Sequence, residues 1–404
     1  MSTGQSHRKT SASGGPSRSA FGHGLRDRFL VEPETTYLNH GGYSCTPLPV
    51  IEAAQGWRLK IEAQPGRFLR DELPEELRRV ADRLGRYLNA DGDDIVFVDN
   101  ATTGLNAVLR SLVLMPGDEV LATSLGYGAV RRTLEFVAER AGARIVTVDV
   151  PFPCRNADSV VASVAAGLSA RTRLAIFDHV TSDTAVLFPL DEIIQLAAQR
   201  HVPVLIDGAH GPGQVPVDLR RLEALGACWY VANGHKWLGA TKGCGFIWTR
   251  GERQRLLRPT TITEKMDGGY IAAFDWPGMK DFSPYLSLPA ALDFRAELGE
   301  QAIQDYCHGL AVEAGETVAA AWGTETGSPE TMTAFMTTVR FPDSLPADRA
   351  TSERLRRAFR YDHGLEVVIN PLEGALWARL SAYVYNAPAD FQRVADIGLD
   401  LARS

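Results

Sequence analysis

The hydrophobic pattern changes character twice along the chain. Up to about residue 48 no period is sustained: residues 29–38 run into NHGGYSCTPLP, whose glycines and prolines make an arm rather than a compact element. From Pro49 the apolar residues Val50, Ile51, Ala54 and Trp57 recur at helical spacing. Residues 73–88 read as a second helix, stopped at Asn89-Ala90-Asp91-Gly92. Short apolar runs then alternate with helical stretches. Strands are expected at 95–98, 119–123, 144–148, 174–178, 202–206, 229–232 and 245–249, with helices at 102–114, 129–141, 157–168 and 190–200. Apolar runs joined by helices make a mostly parallel sheet covered on both faces. Beyond residue 288 the rhythm changes. Long helices at 288–298 and 301–322 precede strands at 335–340, 365–369 and 376–384 and a last helix from Pro388, the pattern of a smaller α+β domain.

The expected organisation is therefore α/β. A Ser/Gly-rich disordered tail over 1–20 leads into an arm and helix over 21–60, a large domain over 61–287 and a small C-terminal domain over 288–404. Net charge of −7 without a basic cluster speaks against nucleic acid or an anionic membrane as partner. No apolar run reaches spanning length, and the tail lacks the apolar segment of a signal peptide. Cys45, Cys154, Cys228, Cys244 and Cys307 are scattered, with no CxxC and no ligand spacing, so no metal site or disulfide framework is expected and a cytoplasmic setting is.

Two stretches carry candidate chemistry. PVLIDGAHGPGQ is an apolar run delivering Asp207 to a Gly-Ala-His turn, where α/β sheets place ligands. WYVANGHKWLGATKGCGF is a second run followed by Asn233, His235 and Lys236. Of 42 basic residues six are lysines, and Lys236 stands directly before Trp237 and Leu238. A lysine desolvated there has a lowered pKa and becomes a nucleophile able to form a Schiff base. Taken singly, such an Asp is a helix cap and such a Lys a solvated side chain. Asn100-Ala-Thr102-Thr103-Gly lies between a strand and a helix, suited to a phosphate at a helix N-terminus and equally to simple capping. Tyr127 and Ser182 follow strands at the same edge. Arg379 lies in an apolar strand, where its fork needs a carboxylate from a substrate or from a structural ion pair.

The segments YLNHGGYS, VFVDNATTGLNAVLRSL, DHVTSDTA, VPVLIDGAHGPGQVPVDL, NGHKWLGATKGCGF and RLSAYVYNAPADF are collinear with one family. From about Tyr37 to Phe391 the chain resembles the isopenicillin-N-epimerase-like subfamily of class V enzymes of fold type I, which use pyridoxal 5'-phosphate. The resemblance implies that Lys236 holds the cofactor, that Asp207 pairs with its pyridine nitrogen and that His210 lies near its hydroxyl. Tyr127 would stack on the ring, with Ser182 beside it, while Thr102, Thr103, Asn233 and His235 surround the phosphate. Arg379, with Asn39 and His40, would bind an amino-acid substrate. It further implies a homodimer with shared sites, in which Met279 approaches the neighbouring phosphate. Departures are Gly278-Met279-Lys280-Asp281 where the subfamily often has Gly-Thr-x-Asp, Ser182 and Asn233 where cysteine desulfurases tend to have Asn and Ser, and the absence of any cysteine after Cys307. The implied reaction is β-elimination from a cysteine S-conjugate, as in lincosamide tailoring. Epimerisation at Cα, decarboxylating deamination and a non-catalytic protein of the same fold are the alternatives.

Overall fold

The computed structural model describes residues 21–403; the expected tail over 1–20 lies outside them. In chain order its strands are β1 (Thr36–Tyr37), β2 (Ile95–Val98), β3 (Glu119–Thr123), β4 (Arg144–Val148), β5 (Thr172–Asp178), β6 (Val204–Asp207), β7 (Ala227–Asn233), β8 (Gly245–Thr249), β9 (Met336–Arg340), β10 (Leu365–Glu366), β11 (Val368–Leu372) and β12 (Ala375–Ser381). Among the described residues β2 to β8 form one sheet in the order β2-β8-β7-β6-β5-β3-β4. Every neighbouring pair is parallel except the two that involve β8. Side-chain alternation carries the sheet's two faces. Val204, Ile206, Phe246 and Trp248 join one apolar cluster, and Leu205 and Ile247 join the other. Each such buried side chain contributes about 2 kcal/mol, which fixes the strand register.

Parallel neighbours β5, β6 and β7 end together, so Asp178, Asp207 and Asn233 lie along one carboxyl edge. The helix Ala101–Ser111 starts at the same edge, capped by Asn100. It sits unusually close to the sheet. A Cβ at Gly104 would come within 2.6 Å of Val231, and one at Gly245 within 2.7 Å of the Asn100 backbone.

The C-terminal part carries a second sheet, β11-β12-β9, entirely antiparallel, over a separate apolar cluster against the helices Glu300–Trp322 and Pro388–Arg403. The arm joins it: β1 pairs in parallel with β10. The single strand expected at 365–369 is thus two, broken at Val367, because its halves pair with different partners. The expected helix at 102–114 ends at Ser111, with Leu112 already extended ahead of Pro116.

Candidate active site

A cavity of about 180 Å³ opens at the carboxyl edge of the sheet, with Lys236, Asp207 and Tyr127 among its lining. Asn233 ends β7, and two residues further on His235 and Lys236 enter a tight turn that Ala240 closes by bonding the Gly234 carbonyl at 3.0 Å. Lys236 Nζ lies 2.8 Å from His210 Nε2. Burial, with the Arg379 guanidinium nearby, lowers the Lys236 ammonium to about 8. Lys242 lies elsewhere: it is exposed, and its ammonium donates to the Ser44 carbonyl at 2.6 Å.

Asp207 is 3% exposed, and its Oδ1 accepts from the Ala209 N–H at 3.0 Å. Asp178 stands beside it in register at the end of β5, also buried. Burial pushes both carboxyls up. Asp207 raises Asp178 further, whereas the Ala209 N–H and Lys236 draw Asp207 back. Asp207 is therefore the less strongly raised of the two. Sequence reasoning noted Asp178 only as a strand end and gave it no role, although FDHVTS ends its strand as VLIDGAH ends the next.

At the helix start the Asn100 side chain accepts from the Thr103 N–H at 2.8 Å, and Asn233 Oδ1 accepts from the Ala101 N–H at 2.8 Å. Asn233 thus caps the helix from the neighbouring strand. Thr102 lines the cavity, and Thr103 does not. His235 Nδ1 donates to the Cys244 carbonyl at 2.7 Å, so its Nε2 offers a lone pair. A phosphate there gains a donor from His235 only when the ring takes a second proton. Burial opposes that by lowering the ring to about 4, and a dianion favours it.

Arg379 is 5% exposed and donates to the Ser182 carbonyl at 2.6 Å and to Asn39 Oδ1 at 3.0 Å, while its Nε has no partner. Among the described residues no carboxylate stands within ion-pair distance of it. A buried cation whose hydrogen-bond partners are all neutral fits an incoming carboxylate. Ser182 lines the cavity, and from the arm Gly42 does too. His40 is fully buried, stacked on Tyr383 with ring centroids 3.7 Å apart, and is not among the lining. His179 is bonded to the Tyr230 hydroxyl at 2.8 Å beneath the edge. Met279, 75% exposed, lines a different cavity of about 780 Å³ with Leu69, Ile271 and Trp276. Among the described residues no three His, Cys, Asp or Glu side chains are grouped to hold a metal, and no helix is long and apolar enough to cross a membrane.

A lysine and a buried acid facing one cavity, at the carboxyl edge of a mostly parallel sheet, define a cofactor-dependent enzyme of fold type I. The family profile Aminotransferase class-V matches residues 36–394, and the chain belongs to that family, whose cofactor is pyridoxal phosphate. It is 31% identical over 397 residues to a probable chloroplastic L-cysteine desulfhydrase of Arabidopsis thaliana, covering 90% of this chain and 82% of that one. It is 30% identical over 389 residues to the isopenicillin N epimerase of Streptomyces clavuligerus, covering 92% and 96%. Among solved structures, the cystine C–S lyase C-DES with its product cysteine persulfide shares the fold at a TM-score of 0.74 and 22% identity, covering 94% and 98%. A cysteine desulfurase from Thermococcus onnurineus NA1 does so at 0.78 and 18%, covering 95% and 98%.

The residues present fit pyridoxal phosphate. A neutralisable amine, a buried pair of carboxyls able to hold a charged ring nitrogen and a helix N-terminus whose Thr102 N–H is left unpaired by the caps converge on one cavity.

Proposed function

We propose that the chain is a C–S β-lyase. It would remove the Cα proton of an L-cysteine-type amino acid, preferably an S-conjugate, and release thiol, pyruvate and ammonia. When bound, the cofactor supplies an electron sink for the pair left at Cα. Lys236 would hold it and then act as the base at Cα. Asp207 would keep its ring nitrogen charged, and Tyr127 would cover the ring. Thr102 and His235, with Asn233 steadying the helix start, would hold its phosphate. Arg379, fixed by Asn39 and Ser182, would grip the substrate carboxylate.

The observation that carries this reading is the placing of the proton-transfer groups. His210 stands beside Lys236 rather than opposite it, and His179 is tied to Tyr230. Elimination needs only one base and a leaving group, and a thiolate departs well. Epimerisation needs a second proton carrier across from the first. Neither histidine is placed for that role, which leaves the Tyr127 hydroxyl at the cavity wall. Relatives named L-cysteine desulfhydrase, at 31% and 29% identity, support C–S cleavage. No cysteine follows Cys307 to carry sulfur onward, so free thiol is the expected product.

Incubation in D₂O with cysteine thioethers, L-cysteine and an isopenicillin-type peptide tests the reading. Stoichiometric thiol and pyruvate from the thioether are expected. Deuterium at an inverted Cα without thiol would make the protein an epimerase, and carbon dioxide would make it a decarboxylase; either sinks the lyase reading.

The active unit is proposed to be a cytoplasmic homodimer. The exposed Met279 and the apolar cavity beside it fit a face covered by a second copy. Light scattering should give twice the chain's mass, and a monomer with full activity would refute the shared site.

A further inference from the structure

Lys236 does not sit alone in its turn. Its Nζ meets His210 Nε2 at 2.8 Å, and the other ring nitrogen, His210 Nδ1, receives the indole N–H of Trp237 at 3.3 Å. The imidazole is held in place by more than these two contacts. Its backbone carbonyl accepts from Gln214 Nε2 at 2.6 Å, and both His210 and Trp237 are 2% exposed or less. His40, its ring centroid 5.0 Å from that of Trp237, and Phe335 at 5.8 Å fix the indole in turn.

An indole N–H can only donate. His210 Nδ1 must therefore be an acceptor, and a neutral imidazole then carries its single proton on Nε2. The doubly protonated ring would set two donors face to face at Nδ1, and burial, with the Arg379 charge adding to it, already drives His210 far toward neutrality. With its proton on Nε2, His210 is a donor toward Lys236. An ammonium has three protons and no lone pair, so it cannot accept. With that tautomer, only the neutral Lys236 amine can complete the 2.8 Å bond.

We propose that Trp237 is a positioning residue. By occupying His210 Nδ1 it fixes the ring's tautomer, so that His210 presents an N–H to Lys236 and selects the free amine able to attack a carbonyl. The same N–H is then what His210 offers to any cofactor oxygen that replaces the amine beside it. Other charges also bear on Lys236. Arg379 opposes its proton, while Asp207, Asp183 and Asp178 favour it. None of these contacts His210 Nδ1, so the effect of Trp237 is separable from theirs. The proposal rests on the site reading of Lys236 but not on the reaction assigned to it, and its test uses no substrate.

The experiment uses the full chain, freed of cofactor and then reloaded. Nitrogen-15 NMR of the His210 ring in the wild-type chain reads the tautomer directly, with His210→Gln to assign the signals. The pH dependence of acylation at Lys236 in the cofactor-free chain, followed by mass spectrometry, reads the amine's pKa. The expected result is a proton on Nε2 in both forms. In Trp237→Phe the ring is free to take its proton on Nδ1 and to accept from an ammonium. The Lys236 pKa should then rise by about one unit, a tenfold loss of free amine below it. A proton on Nδ1 in the wild type, or an unchanged Lys236 pKa in a folded Trp237→Phe chain, overturns the proposal. Should Trp237→Phe fail to fold, the wild-type spectrum decides alone.

Discussion

Lys236→Ala should give a folded chain that has lost its visible absorbance and yields no borohydride-fixed adduct. Turnover should fall by about 10⁵-fold or more, the scale on which loss of a covalent catalyst is felt. The fold should survive because the lysine's stem faces a cavity and its removal deletes a desolvated amine rather than a packed core group. Lys242 is the only other lysine within a few residues. It cannot substitute, since its ammonium is spent on the Ser44 carbonyl and the Thr46 hydroxyl, at 2.6 and 3.3 Å, outside the cavity. Peptide mapping after borohydride treatment checks both statements at once. An adduct on Lys242 in the wild-type chain, or turnover retained by Lys236→Ala, would remove Lys236 from the centre of the site.

Asp207→Asn separates holding the cofactor from using it. The new amide oxygen keeps the 3.0 Å bond from the Ala209 N–H, so the strand end and its turn are retained. Removing one of two adjacent buried carboxyls also lifts the repulsion from Asp178. What is lost is the group able to carry a negative charge. A neutral amide does not keep a pyridine nitrogen protonated, and the sink for Cα electrons weakens with it. Cofactor content near that of the wild type is expected. Turnover should fall by about 10⁴-fold, as when other carboxylates that fix a catalytic protonation state are replaced by amides. Near-normal turnover would reduce Asp207 to a cap for its own turn.

Both residues stand out in the sequence because the alternation of apolar runs and helices puts each just past a buried strand, and that alternation is the strongest local signal there is. Strand direction is not in that signal. Residues 245–249 look like the other buried runs, yet β8 runs against its neighbours. The reason is the connection: residues 234–244 hold the lysine turn and no helix, too little for a parallel crossover, so the chain returns beside β7. The helix Arg349–Arg357 was missed because it is almost wholly polar, with Leu355 as its one large apolar buried side chain. The helix Leu219–Leu225 is only seven residues long, too short for a period to show. At the site, the contacts of Asn233 with Ala101, Arg379 with Asn39 and Trp237 with His210 each join different segments of the chain, the first two more than a hundred residues apart. No local pattern encodes them. For the same reason the inward turn of His40, set by Tyr383 and Tyr385, could not be read from YLNHGGYS.

The pairing of β1 with β10 has a bearing on when the site comes into being. Thr36 and Leu365 are more than three hundred residues apart, so their ladder closes nearly the whole chain into one loop. Closing it has an entropic cost on the order of 5 kcal/mol, met only once the rest is folded. During synthesis the strands bearing Asp207 and the turn bearing Lys236 emerge and can pack before residue 365 exists. The arm with Asn39 and Gly41 has to wait, its partners at Glu366, Arg379 and Ser381 being among the last parts made. On the proposed roles the reactive lysine is thus built early and the grip on the substrate late, so a chain whose synthesis stops short of β10 would hold the chemistry without the means to choose what enters it.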